Sequence, residues 1–206
     1  MVRGSEGPPG NRKRGVKRMC GRYCLYDDGN EELREILDRT EGEFKTGEIF
    51  PTEKAPVLIE QSGGITPEAV AWGFPGFRGK GVIINARAET VPEKPMFWRS
   101  LTTTRCVIPS SGFFEWTHSG PKTKYQFNLP GTGVLYMAGL YQDFGGERRF
   151  VIITTAANNS MVEVHNRMPV VLQGTERDAW LSSGEKAIGI LQSARPELIR
   201  REEDAL

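Results

Sequence analysis

The chain has 206 residues, 38% hydrophobic and 26% charged, which suits one domain with its own core. No apolar run reaches the ~20 residues of a membrane span, the basic start lacks the apolar stretch of a secretory signal, and three cysteines (Cys20, Cys24, Cys106) are too few and too odd in number for a disulfide framework, so a cytoplasmic location is expected. The net charge of +1 divides unevenly: residues 1–18 hold six basic residues against Glu6, leaving 21 basic and 25 acidic residues in the remainder, which excludes nucleic-acid binding by bulk charge and demands a local basic patch.

Residues 1–18 are Gly, Pro and charge without apolar periodicity, and are expected to be a disordered basic extension. Three explanations fit such a segment: an upstream start wrongly assigned, a propeptide that is removed, or a retained arm for nucleic acid. MCGRYC follows at 19–24. Met before a small residue is how many chains begin, so Cys20 is either an ordinary strand thiol or the first residue of the working protein. GRYCLY reads as a strand. NEELREILDRT reads as a helix, with Asn30 as N-cap, acids in the first turn and Leu33, Ile36 and Leu37 as the apolar stripe. APVLIEQ, EAVAWGF and GVIINARA read as strands, and PMFWRSL as a short helix. RCVIPSSGFFEWT, KYQFNL, GVLYMAGLYQ and RRFVIITTAA are strands again. TERDAWLSS is a helix with Thr175 at its cap, and further short helical pieces follow. Strands outnumber helices and no βαβ rhythm appears. An α+β fold is expected, a single domain over 19–206, largely antiparallel with helices outside the sheet.

Four places set a reactive group in strand-like or tightly turned surroundings. Cys20 is the first. Asn85, Arg87 and Glu89 of NARAET share one strand face, either as an outward polar face or as part of a site. Glu115 lies among Phe113, Phe114 and Trp116; it either points to water or sits among the rings, where its charged form is disfavoured and it is prepared as an acid or base. His165, one of two histidines, precedes an apolar strand, as a structural residue or a working one. No metal or other cofactor is expected. Cys20 and Cys24 would stand ~13 Å apart on a strand, and neither CxxC nor HExxH occurs. PSSGFF is not a nucleophile elbow, and no glycine-rich phosphate loop is present.

Taken in order, MCGRY, AWGF, INARAET, CVIPSSGFFEW and VHNRMPVVL closely resemble the SOS response-associated peptidase (SRAP) family over about residues 19–181. The resemblance implies a compact α+β domain round a β-barrel-like sheet, and a protein, nucleoid-associated when bound, that cross-links to abasic sites in single-stranded DNA. It implies Cys20 as nucleophile once Met19 is removed, with Asn85, Glu115 and His165 as its catalytic partners. Glu115 would transfer protons, His165 would shuttle them to the sugar ring oxygen, and Asn85 would orient the amine. Arg22, Trp72, Arg87 and Arg167 resemble the family's DNA-contacting positions. A monomer is expected. The chain departs from the family pattern at GEIFPTEKAPVL, where a Tyr-Asn-x-Ala-Pro stretch is common, in its short end beyond AWL, and in the extension itself. The same residues also read as a cysteine peptidase, with Cys20 and His165 as the working pair, or as a non-catalytic module for single-stranded DNA.

Overall fold

A computed structural model describes residues 21–61, 63–118 and 120–203. The basic extension, Met19 and Cys20 lie outside the described residues. The chain runs β1 (Tyr23–Leu25), α1 (Glu31–Asp38), β2 (Gly47–Ile49), β3 (Lys54–Gln61), β4 (Gly64–Trp72), β5 (Phe74–Pro75), a 3-10 turn at Phe77–Gly79, β6 (Val82–Ile83), β7 (Asn85–Arg87), α2 (Pro95–Thr103), β8 (Arg105–Ser110), β9 (Gly112–Trp116), β10 (Lys124–Asn128), β11 (Leu135–Asp143), β12 (Arg148–Ala156), β13 (Arg167–Pro169), β14 (Val171–Leu172), α3 (Glu176–Ser182), α4 (Gly184–Gln192) and β15 (Ile199–Glu203).

Five strands close on themselves. β4 pairs with β3, β3 with β8, β8 with β11 and β11 with β12, all antiparallel, and β12 returns to β4 in parallel. This ring is the expected barrel-like sheet. β12 outruns the ring, and its far end takes β7 in parallel and β13 antiparallel. A second, fully antiparallel sheet has the order β15-β10-β9-β1-β2.

Strand alternation sorts the core. Phe150 and Ile152 of β12, Cys106 and Ile108 of β8, and Val57 and Ile59 of β3 enter one buried cluster. Their neighbours Val151, Ile153, Val107 and Leu58 enter another, with Phe97 and Leu101 of α2, Trp180 of α3 and Ala187 of α4. Ring strands buried on both faces explain why these segments read as continuous apolar runs. Cys24 and Cys106 are buried and free, and burial pushes both thiols up. No helix among the described residues is long and apolar enough to cross a membrane.

The helix signals have mixed outcomes. Asn30 caps α1, its side chain accepting from the Leu33 N–H at 2.9 Å. Thr175 stands at the start of α3, but its side chain makes no capping bond; instead the Glu176 carboxylate accepts from the Gln173 N–H at 2.9 Å.

The expected strand RCVIPSSGFFEWT is two strands in two sheets, broken at Ser111. The buried Ser110 hydroxyl holds the crossing: it accepts from the Gly112 N–H at 2.9 Å and lies 2.6 Å from the Gly112 carbonyl and 3.1 Å from that of Cys24. Gly112 has φ +150°, and a Cβ there would stand 2.8 Å from both the Phe127 carbonyl oxygen and Asn128 Nδ2. Only glycine fits. Gly112→Ala is expected to destabilise by about 2–3 kcal/mol, read as a lower urea midpoint at unchanged slope.

Candidate active site

β9 carries Glu115 into the interior. Phe113 and Glu115 share one strand face, and Glu115 is only 4% exposed. The alternative in which it points to water is therefore set aside. β1 lies antiparallel beside it, with Tyr23 opposite Phe113 and Cys24 opposite Gly112. The Phe114 N–H donates to the Arg22 carbonyl at 3.0 Å. Continued by two residues past Tyr23 and Phe113, this register would set Gly21 opposite Glu115.

His165 approaches from the loop before β13 and is 6% exposed. Its Nδ1 accepts the Arg167 N–H at 3.0 Å. A nitrogen that accepts an N–H carries no proton, which leaves Nε2 as the ring's donor. His118, on the exposed loop after β9, sets its ring edge-on to His165, with centroids 4.2 Å apart at 64°. One ligating atom from each of Glu115, His118 and His165 lies within 4.8 Å of the others. That spread would admit a divalent cation with little rotation. Metal at His165 Nε2 would, however, move the ring proton to Nδ1, against the Arg167 N–H, so the donor set fits a hydrogen-bonded group better than a metal centre. The sequence singled out two members of this group and missed His118, which nothing local distinguishes.

Asn85 opens β7, opposite Ile152 on β12. Both expected halves of the site meet at the end of β12: the Thr154 carbonyl accepts the Ala88 N–H at 2.8 Å and Arg167 Nη2 at 2.7 Å. The Arg167 fork also grips both oxygens of Glu89, at 2.6 and 2.9 Å, and holds that carboxyl below its usual range. Arg167 thus ties the His165 loop to the segment after Asn85, and its fork is committed to Glu89 rather than open to phosphate. Arg87 is exposed. Asn85, Arg87 and Lys94 line a cavity of about 490 Å³ with Ile83, Met96 and Phe97.

Trp72 corrects the sequence reading. It is wholly buried, stacked on Phe150 (6.2 Å, 5°) and edge-on to Tyr23 (5.3 Å), with its indole N–H given to the Ile84 carbonyl at 3.0 Å. A base cannot reach it. The aromatic on the surface nearby is Phe77, 81% exposed at the tip of the β5–β6 hairpin, with the Arg78 guanidinium 5.1 Å from its ring centre. The tip turns tightly: a Cβ on Gly76 would stand 2.1 Å from the Lys80 carbonyl oxygen. Glycines alternating with Phe77, Arg78 and Lys80 were the available signal.

Arg22 lies beside the site in a cluster of cations and rings. Its guanidinium is 4.3 Å from the Phe50 ring centre and 5.0 Å from that of Trp116, and Lys124 Nζ is 3.9 Å from that of Phe114. Glu48 takes Arg22 at 2.7 Å and Lys124 at 2.6 Å. Burial pushes its carboxyl up, but the Lys124 and Arg22 contacts outweigh this and hold it below its usual value. A lowered carboxyl stabilises the fold above the unfolded pKa of ~4.3, and the contribution is lost as pH falls through the folded value. Glu48→Gln is therefore expected to cost under ~1 kcal/mol at pH 7 and to reduce the wild type's loss of stability below pH ~4, measured by acid-dependent unfolding.

The family profile described as SOS response associated peptidase (SRAP) matches residues 19–200. The chain belongs to the SRAP family. Among relatives, the abasic site processing protein YoaM of Bacillus subtilis is 31% identical over 191 residues, covering 85% of this chain and 84% of its own. The abasic site processing protein YedK of Escherichia coli is 28% identical over 191 residues, covering 85% and 86%. A solved structure of a protein from Bacteroides thetaiotaomicron superposes with a TM-score of 0.72 at 21% identity, over 89% of this chain and 91% of that one, a likeness of fold. The SRAP match begins at Met19 and takes in Gly21, Asn85, Glu115 and His165 alike.

Proposed function

We propose that this protein processes abasic sites in single-stranded DNA by capturing the lesion covalently through Cys20. The observation that carries the reading is the β1–β9 register, Tyr23 opposite Phe113, which on extension past the end of β1 would set Gly21 opposite buried Glu115. Cys20 is one Cα step of ~3.8 Å further on. The names of relatives such as YoaM and YedK agree with an abasic substrate.

An opened abasic sugar presents an aldehyde. With Met19 removed, Cys20 offers an amine and a thiol on adjacent carbons. The amine attacks the aldehyde carbon, and a proton passes from nitrogen to oxygen. The carbinolamine C–O bond then breaks and the oxygen leaves as water. The sulfur closes on the imine carbon while its proton moves to nitrogen, giving a thiazolidine. The net change is loss of one water. Ring closure within one residue gains the rate advantage of an intramolecular reaction. Glu115 moves the protons. His165, with its proton on Nε2, donates a hydrogen bond to the sugar oxygen, and Asn85 orients the amine. Arg87 and Lys94 hold phosphates beside the lesion, with Arg22 on the other flank, and Phe77 stacks on a base. Where residues 1–18 are translated, release of the Cys20 amine requires a cut after Met19, which Cys20, Glu115 and His165 would carry out on their own chain.

The reading is tested on a denaturing gel with uracil-glycosylase-treated single-stranded DNA and protein beginning at Cys20. A shifted band absent in Cys20→Ala is expected. Cys20→Ser keeps the amine and should yield only an adduct that needs borohydride to survive. No shift with the clean wild-type terminus would overturn the reading.

A further inference from the structure

We propose that His118 is the proton relay between the buried Glu115–His165 pair and solvent. The inference rests on the covalent-capture reading above. Glu115 and His165 are 4% and 6% exposed, whereas His118 is exposed on the loop after β9. The His118 and His165 rings are 4.2 Å apart, and a nitrogen of His118 lies within 4.8 Å of a Glu115 oxygen, a gap closed by side-chain rotation or one water.

His165 cannot serve as the relay. Loss of its Nε2 proton would leave an imidazolate, and gain of a second proton at Nδ1 would break the bond from the Arg167 N–H. It is a fixed-tautomer donor. Yet protons have to leave the site. The α-amine of Cys20, with an ordinary pKa of ~7.7–8.0, starts largely as ammonium at neutral pH. Before it can attack, one N–H bond breaks, the pair stays on nitrogen and the proton passes to the Glu115 carboxylate. Glu115 hands it to one nitrogen of His118, which releases a proton from its other nitrogen to water. The balance is ammonium plus water to amine plus hydronium, with Glu115 restored and His118 left as its other neutral tautomer, which its exposed ring resets by proton exchange with water. His118 acts through Glu115 and does not touch the sugar, so it is a positioning residue for protons.

The test compares adduct formation by wild type, His118→Ala and His118→Gln, each beginning at Cys20, at saturating abasic single-stranded oligonucleotide. Melting temperatures of the exposed-site variants should match wild type. Both variants are expected to react about 10-fold more slowly, at or below the low end of acid–base effects, with unchanged oligonucleotide affinity. Added imidazole should restore the His118→Ala rate and leave wild type unaffected. A His118→Ala rate equal to wild type, a slow rate that imidazole does not raise, or a defect confined to affinity would overturn the relay alone. Absence of any adduct with wild type would overturn the capture reading and the relay together.

Discussion

Glu115→Gln is expected to slow capture of abasic DNA by about 10²-fold or more without unfolding the protein. Glutamine keeps the shape and the hydrogen-bonding reach towards His165 and His118, so geometry is preserved while the buried carboxylate that takes and returns the proton is removed. Stability should hold or rise, because a carboxylate only 4% exposed on an otherwise aromatic strand bears a desolvation cost that a neutral amide largely avoids. Slower reaction with an equal or higher melting temperature marks a residue kept for chemistry rather than packing. A wild-type rate in Glu115→Gln would remove Glu115 from the mechanism.

Trp72→Ala is expected to cost about 3–5 kcal/mol, the range for emptying a buried large aromatic site. It loses the Phe150 stack, the Tyr23 contact and the indole bond to Ile84, all inside the ring of strands. Phe77→Ala should do the reverse. At 81% exposure it should change stability by no more than ~0.5 kcal/mol and weaken single-stranded DNA binding by about 1–3 kcal/mol, the worth of one base stacked on an aromatic ring. Urea unfolding and fluorescence anisotropy on both variants separate the roles. A Trp72 variant that folds normally but binds DNA poorly would restore the sequence expectation.

Much of this was legible in the residues. Alternation and turn signals found the ring strands, because their apolar runs are buried on both faces and the signal is strong. Asn30 worked as a cap because its backbone is extended and its side chain reaches the Leu33 N–H. Thr175 did not: its backbone is already helical rather than extended, and its side chain makes no capping bond. β15 was not foreseen, although the short helical piece expected after TERDAWLSS is α4. IRREE is charged at four of its five positions and is a strand because β10 offers its edge, which is tertiary information. The break at Ser111 was hidden for a similar reason: Gly112 is needed where the chain passes under Phe127 and Asn128, and both lie on a later strand. In the site, Glu115 and His165 carried motif signals, but the Arg167–Glu89 pair was not foreseen, Arg167 having been read as a DNA contact. Trp72 misled because an aromatic next to a glycine reads alike at a surface tip and in a core. His118 had no signal at all; its nearness to His165 exists only after β9 and the loop before β13 meet.

The most direct test of covalent capture is the intact mass of the product formed from abasic single-stranded DNA and two forms of the protein, one beginning at Cys20 with a free amine and one with that amine acetylated. The account predicts a product from the free-amine form alone, at the summed mass of protein and DNA less one water. A denaturation-stable product of equal yield from the acetylated form would contradict it.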